Sequence, residues 1–153
     1  MNIFISNIQE SLHIDLKSVR SVVHEVLSLE HQQCDEVSIN FVETSEICEL
    51  HVRYFDDPTP TDCISFPIDD GVPIDNYKIL GEIVICPQTA LKYVKSHGGN
   101  VYEETYLYII HSLLHLMGYD DIEEHDKHKM RNAEKRHMEH LKSLNLIPTT
   151  KEP

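Results

Sequence analysis

One run constrains this chain more than any other. From Tyr106 to Met117 the residues are overwhelmingly Leu, Ile, Tyr and Met, yet His111 and His115 stand among them. A helix that is apolar on almost every face is a buried helix, so the rest of the chain has to be built around it. Two histidines one turn apart share a face of that helix, where unpaired imidazoles are costly. The i, i+4 spacing is also what lets two rings reach one metal ion from a single helix. Gly118 can end the helix by taking a positive φ and turning the chain back. Asp121 then arrives as a third ligand, with a coordination position left for water. The plainer alternative is a pair of core or interfacial histidines. With eleven histidines in the chain, an HxxxH pair is expected by chance about once, so the context carries the metal reading rather than the pair.

A length of 153 residues suggests one domain with a substantial core. We expect a single metal-dependent hydrolase-like domain over residues 1–147 and a frayed tail over 148–153. The start of the chain lacks the basic, then unbroken apolar, pattern of a signal peptide, and no window is long enough to span a membrane. Cys34, Cys48, Cys63 and Cys86 form no CxxC pair, so they read as reduced, mostly buried thiols of a cytoplasmic protein. The net charge of -13 argues against broad affinity for nucleic acid, though a local basic groove remains compatible with it.

Along the chain, residues 2–5 read as a strand, and Asp15 as the N-cap of a helix to about Leu29. Residues 36–42 alternate with period two and form a half-buried strand. A short helix follows from Thr44 or Ser45 and ends before Asp56. A stiff turn leads into a brief strand, 63–67, and a surface excursion, 67–78. Residues 79–86 are the most strand-like run, Pro87 opens a helix, and 97–100 break it before the histidine helix begins near Val101. A long charged helix closes the chain, with Met130, Ala133, Met138 and Leu141 inward and His128, His137 and His140 on a solvated face. The order indicates an α+β fold: a small mixed sheet of about four strands packed with helices, with a metal cleft between them.

Two histidines and a carboxylate suit zinc, with nickel or another divalent transition metal as alternatives. An ion of this kind makes a nucleophile near neutral pH and polarises a carbonyl or phosphoryl oxygen, so hydrolysis is the default reaction. The HExxH peptidases carry their general base directly after the first histidine. Here that residue is Ser112, which disfavours a peptidase. Glu104 and Glu82 are the candidate substitutes.

The run from His111 to Asp121 closely resembles the HGxLHLxGYDH signature of the YbeY family of bacterial endoribonucleases and rRNA maturation factors. Residues 61–67 resemble its TDVLSFP run, residues 80–86 its LGDIVIS run, and Met130 and Glu134 fit its last helix. The resemblance spans residues 36–141. It implies a mixed four-stranded sheet, a metal-lined cleft and a single-strand-specific RNase acting in rRNA maturation and ribosome quality control. Ribosomal RNA and ribosome-associated proteins would be the partners, with no membrane and no DNA.

Three positions depart from the family. Its third histidine is Asp121 here, with His125 as a rival ligand one turn on. Its glycine after the first histidine is Ser112. Its arginine after a tyrosine, thought to handle phosphate, is missing: Tyr54 is followed by Phe55. That loss removes a cation suited to a phosphodiester's developing charge. Arg53 would point to another face of its helix from Phe55, which could itself stack on a base or simply pack. Lys78, Lys92 and Lys95 could supply a basic edge. The expected machinery is therefore His111, His115 and Asp121 on the metal, with Arg53, Thr61, Asp62 and Ser65 along the substrate groove. The competing reading is a ribosome assembly or binding factor with a mainly structural metal and little nuclease activity.

Overall fold

The computed structural model describes residues 1–57, 59, 61–68 and 75–149. In chain order the elements are β1 (Asn2–Asn7), α1 (Leu16–Leu29), β2 (Glu36–Phe41), α2 (Thr44–Phe55) and β3 (Cys63–Pro67). They continue with β4 (Ile79–Ile85), α3 (Pro87–His97), α4 (Val101–Leu116) and α5 (Glu124–Ser143). The strands make one four-stranded mixed sheet in the order β1-β2-β4-β3, as expected of an α+β fold. β1 and β2 pair in parallel, as do β2 and β4, while β3 runs antiparallel to β4 and forms an edge.

The period of two in the strands decides which helix meets which face. Val37, Ile39 and Phe41 are fully buried, and in register with Ile39 and Phe41 stand Ile83 and Ile85 of β4. Together with Ile3 they form the face on which α1, α4 and α5 make the main core. The alternate positions Ile64, Phe66 and Val84 point the other way and pack under Ile47 and Leu50 of α2. Cys63 and Ser65, one step out of phase with Ile64, therefore face α4. Ser65 Oγ donates to the Ser112 carbonyl at 3.1 Å, which fastens the edge strand to the histidine helix.

Helix ends are set by local chemistry. Asp15 accepts from the Lys17 N–H at 3.0 Å at the start of α1, and Asn100 accepts from the Tyr102 N–H at 2.8 Å at the start of α4. At the other end of α4, Gly118 takes φ +99°. Its N–H reaches the His115 carbonyl at 3.1 Å and the Tyr119 N–H reaches that of Leu114 at 3.0 Å. This paired 5→2 and 6→1 arrangement is a Schellman turn. Within α4, Ile109, Ile110, Leu113 and Leu114 are wholly buried, at about 1.5–3 kcal/mol each, and this anchoring holds the two imidazoles in place.

The closing helix departs from expectation at one face. Met130, Ala133 and Leu141 are buried and Met138 half-buried, but Glu134 and His137 are buried as well. His137 is therefore no part of a solvated face: its Nε2 meets Glu30 Oε2 at 2.9 Å. His140 is half-buried and pairs with Glu25, and His128 is exposed. The four cysteines are free thiols, of which Cys86 is fully buried and the others half-buried. Among the described residues no helix is long and apolar enough to cross a membrane. Part of the expected surface excursion (residues 69–74) and of the tail (residues 150–153) lies outside the described residues.

Candidate metal centre

The Schellman turn brings three side chains together. His111 and His115 present Nε2 atoms 3.1 Å apart, with ring planes at 82°. Asp121 Oδ2 lies 3.6 Å from the first and 3.5 Å from the second. Among the described residues this is the group of His, Cys, Asp and Glu donors close enough to share an ion. Zinc bonds of about 2.0–2.2 Å in a tetrahedron require ligand–ligand edges of about 3.3–3.6 Å. The donor set fits.

The far side of each ring fixes which nitrogen faces the centre. His111 Nδ1 sits 3.2 Å from Glu134 Oε2, and His115 Nδ1 sits 3.0 Å from the Tyr119 carbonyl. A carboxylate and a carbonyl only accept, so both Nδ1 atoms carry the proton and both Nε2 lone pairs turn toward Asp121. Two bare lone pairs this close repel unless a cation or a proton lies between them. Burial opposes a charged His111 ring, but the hydrogen bond and charge of Glu134, then Asp121 and Asp62, prevail and hold its pKa above the ordinary value. Carboxylate and carbonyl partners of this kind orient metal-ligating histidines.

A second network holds the turn that delivers Asp121. Tyr119 donates its hydroxyl to Glu30 Oε1, while Glu30 Oε2 receives Arg136 and His137, each at 2.9 Å. Burial works against the Glu30 charge, yet Tyr119, Arg136 and His137 together lower its pKa. Burial is also the main reason that the His137 pKa is lowered, against the pull of Glu30. Its Nδ1 is buried without a hydrogen-bond partner among the described residues, which disfavours the doubly protonated ring.

Beside the triad a cleft of about 460 Å³ opens over the edge strand. Thr61, Asp62 and Ser65 line it with His111 and His115, and so do His51 and Phe55. Arg53 does not line it. It lies on the outer face of α2, 62% exposed, paired with Glu49 at 3.8 Å, because helical spacing separates it from Phe55. Glu82 is excluded by strand alternation: its partner across the sheet is Phe66, on the α2 face, and Asn40 donates to it at 2.9 Å. Glu104 lines a second cavity of about 420 Å³ that also touches His111 and Asp121. Burial, partly offset by a hydrogen bond with Tyr108, raises its pKa. His125 is exposed at the start of α5, Ser112 is buried, and Lys92 and Lys95 lie exposed on α3. Lys78 lines a separate cavity beside Cys34 and Asp35.

A family model described as endoribonuclease YbeY matches residues 4–142. The chain belongs to the YbeY family. A YbeY endoribonuclease of Protochlamydia amoebophila is 57% identical over 143 residues, covering 92% of this chain and 93% of that one. The YbeY endoribonuclease of Chlamydia trachomatis serovar D is 37% identical over 133 residues, covering 86% and 83%. That of Finegoldia magna is 38% identical over 142 residues, covering 88% and 90%. In fold, the chain resembles the solution structure of a Thermotoga maritima protein with TM-score 0.68 at 24% identity, covering 99% and 98% of the two chains.

Four residues around this candidate site escaped the sequence reading: His51, which lines the cleft, Glu30 and Tyr119 of the turn network, and Arg131, which lines the second cavity. Only Tyr119 carried a local signal, since it directly follows the helix-ending glycine. Glu30 and His137 meet across 107 positions of chain, and no periodicity reports such a contact.

Proposed function

We propose that this chain is a metal-dependent, single-strand endoribonuclease that acts on ribosomal RNA in the cytoplasm, with zinc held by His111, His115 and Asp121. The observation that carries the reading is the convergence of two Nε2 atoms and one carboxylate oxygen whose mutual distances, 3.1 to 3.6 Å, come within about 0.2 Å of the edges of a zinc tetrahedron. Membership of a family named for endoribonuclease activity supports the substrate class.

When bound, such an ion supplies Lewis acidity toward a phosphoryl oxygen and a nucleophile near neutral pH. The protein's own part is orientation. Glu134 and the Tyr119 carbonyl hold the rings with Nε2 inward. Glu30 holds Tyr119 and hence the turn that carries Asp121. Thr61 and Asp62 sit at the head of β3, where the Thr61 carbonyl accepts from Thr89 at 3.2 Å and the Asp62 carbonyl from the Cys86 N–H at 2.9 Å. These bonds keep the cleft's floor rigid while a strand of RNA is seated against it. Phe55, 54% exposed at the cleft's edge, offers a base a stacking face.

The test is cleavage of a labelled single-stranded rRNA fragment by wild type and Asp121→Ala, with and without a chelator. Cleavage that needs zinc and is lost in the variant supports the enzyme. Equal background from both proteins removes it. That second outcome would favour a ribosome assembly factor with a structural metal, a reading to which the acidity of the site and the missing arginine lend weight.

A further inference from the structure

A polyanionic substrate needs cationic partners, and the surroundings of the triad offer few. The two cavities that share His111, Asp62 and Cys63 are lined by four carboxylates: Asp62, Glu104, Asp121 and Glu134. Arg131 is the one Lys or Arg among the described residues lining either cavity. Its Nη1 donates to Glu134 Oε1 at 3.1 Å, and the other oxygen of the same carboxylate orients His111. The Glu134 side chain is 6% exposed, whereas that of Arg131 is 72% exposed. One edge of the guanidinium is thus spent on a buried anchor tied to the metal centre, and its remaining donors stay accessible. The contact offsets the charge of a nearly buried carboxylate, and because the guanidinium itself lies in the open it does so without being withdrawn from solvent.

Resting on the endoribonuclease reading, we propose that Arg131 is a substrate-binding residue that forks onto the RNA phosphate next to the triad. It supplies, from α5 and on the other side of the centre, the cation that position 55 on α2 lacks. A guanidinium suits this work because its planar donors match two phosphate oxygens, and the Glu134 contact holds the plane before substrate arrives.

The experiment measures initial rates of cleavage of a labelled single-stranded oligoribonucleotide by zinc-loaded protein at several salt concentrations. For Arg131→Ala we expect KM to rise about tenfold or more with kcat near wild type, the signature of lost substrate binding. The salt slope of log kcat/KM should flatten by about 0.7, the value for one phosphate contact on a single strand. Arg131→Lys should keep the slope and recover part of the affinity. Lys127→Ala, an exposed cation on the same helix outside both cavities, should match wild type. Melting temperature and zinc content serve as folding controls. If wild type cleaves and Arg131→Ala is indistinguishable in KM and slope, the anchor is wrong and the nuclease stands. If wild type neither binds nor cleaves RNA, both fall together.

Discussion

Adding one methyl group at Gly81 tests how the sheet seats the histidine helix α4. Gly81 lies on β4 opposite Pro67 of the edge strand, with φ +155°, a backbone conformation that L side chains rarely adopt. A Cβ there would stand 2.6 Å from the Phe66 carbonyl oxygen, 2.7 Å from Leu116 Cδ2 and 3.1 Å from Pro67 Cα. The leucine can rotate; the two backbone atoms yield only if β3 moves away from β4. Overpacking costs about 1–3 kcal/mol and the strained conformation about as much again, so Gly81→Ala should lose about 2–6 kcal/mol. That is a large share of the roughly 5–15 kcal/mol that holds a domain together. The damage should reach the site, because β3 carries Ser65, which is bonded to α4, and Leu116 adjoins His115. Denaturant unfolding of wild type and variant, followed by a zinc titration, measures both effects. A loss under about 1 kcal/mol with unchanged zinc affinity would refute this account of the strand–helix contact.

Other perturbations give separate readings. Glu134→Gln keeps the shape but removes the charge that orients His111, so zinc affinity measured by chelator competition should fall about 10–100-fold; unchanged affinity would reject the orienting role. Burial lowers the His137 pKa in the folded state below the 6.5 of the unfolded chain. Its contribution is therefore fully present above pH 6.5 and is lost as pH falls from there through the folded value, because the unfolded chain binds the proton first. His137→Gln keeps a donor for Glu30 but cannot titrate, so below pH 6.5 its stability should fall less steeply than wild type, by at most about 1.4 kcal/mol per pH unit. Parallel curves would contradict that. Asn100→Ala removes the cap of α4 and should cost about 1 kcal/mol in a denaturation midpoint, against no change if the cap is idle.

The backbone was readable wherever punctuation was local. Asp15, Pro87, Gly98 and Gly118 mark helix ends through their own conformational preferences, and the alternation at 36–41 shows in the burial of every second residue. The two histidines and Asp121 lie within eleven residues, so spacing alone brings them to one turn. Position 82 could not be placed because its face depends on which strand neighbours β4. His137 was misjudged because α5 is charged over most of its surface, and its buried polar stripe is defined by Glu30, far away in the chain. Arg131 was invisible for a similar reason: its significance comes from Glu134 and from how few cations line the cavities.

The most direct test of the central claim is zinc content by elemental mass spectrometry, on protein purified without a metal-affinity tag. Wild type would be compared with Asp121→Ala and His125→Ala. The geometry predicts one ion per chain in wild type and in His125→Ala, and its loss or marked weakening in Asp121→Ala. Zinc kept in Asp121→Ala but lost in His125→Ala, or none in any of them after reconstitution, would contradict the metal centre.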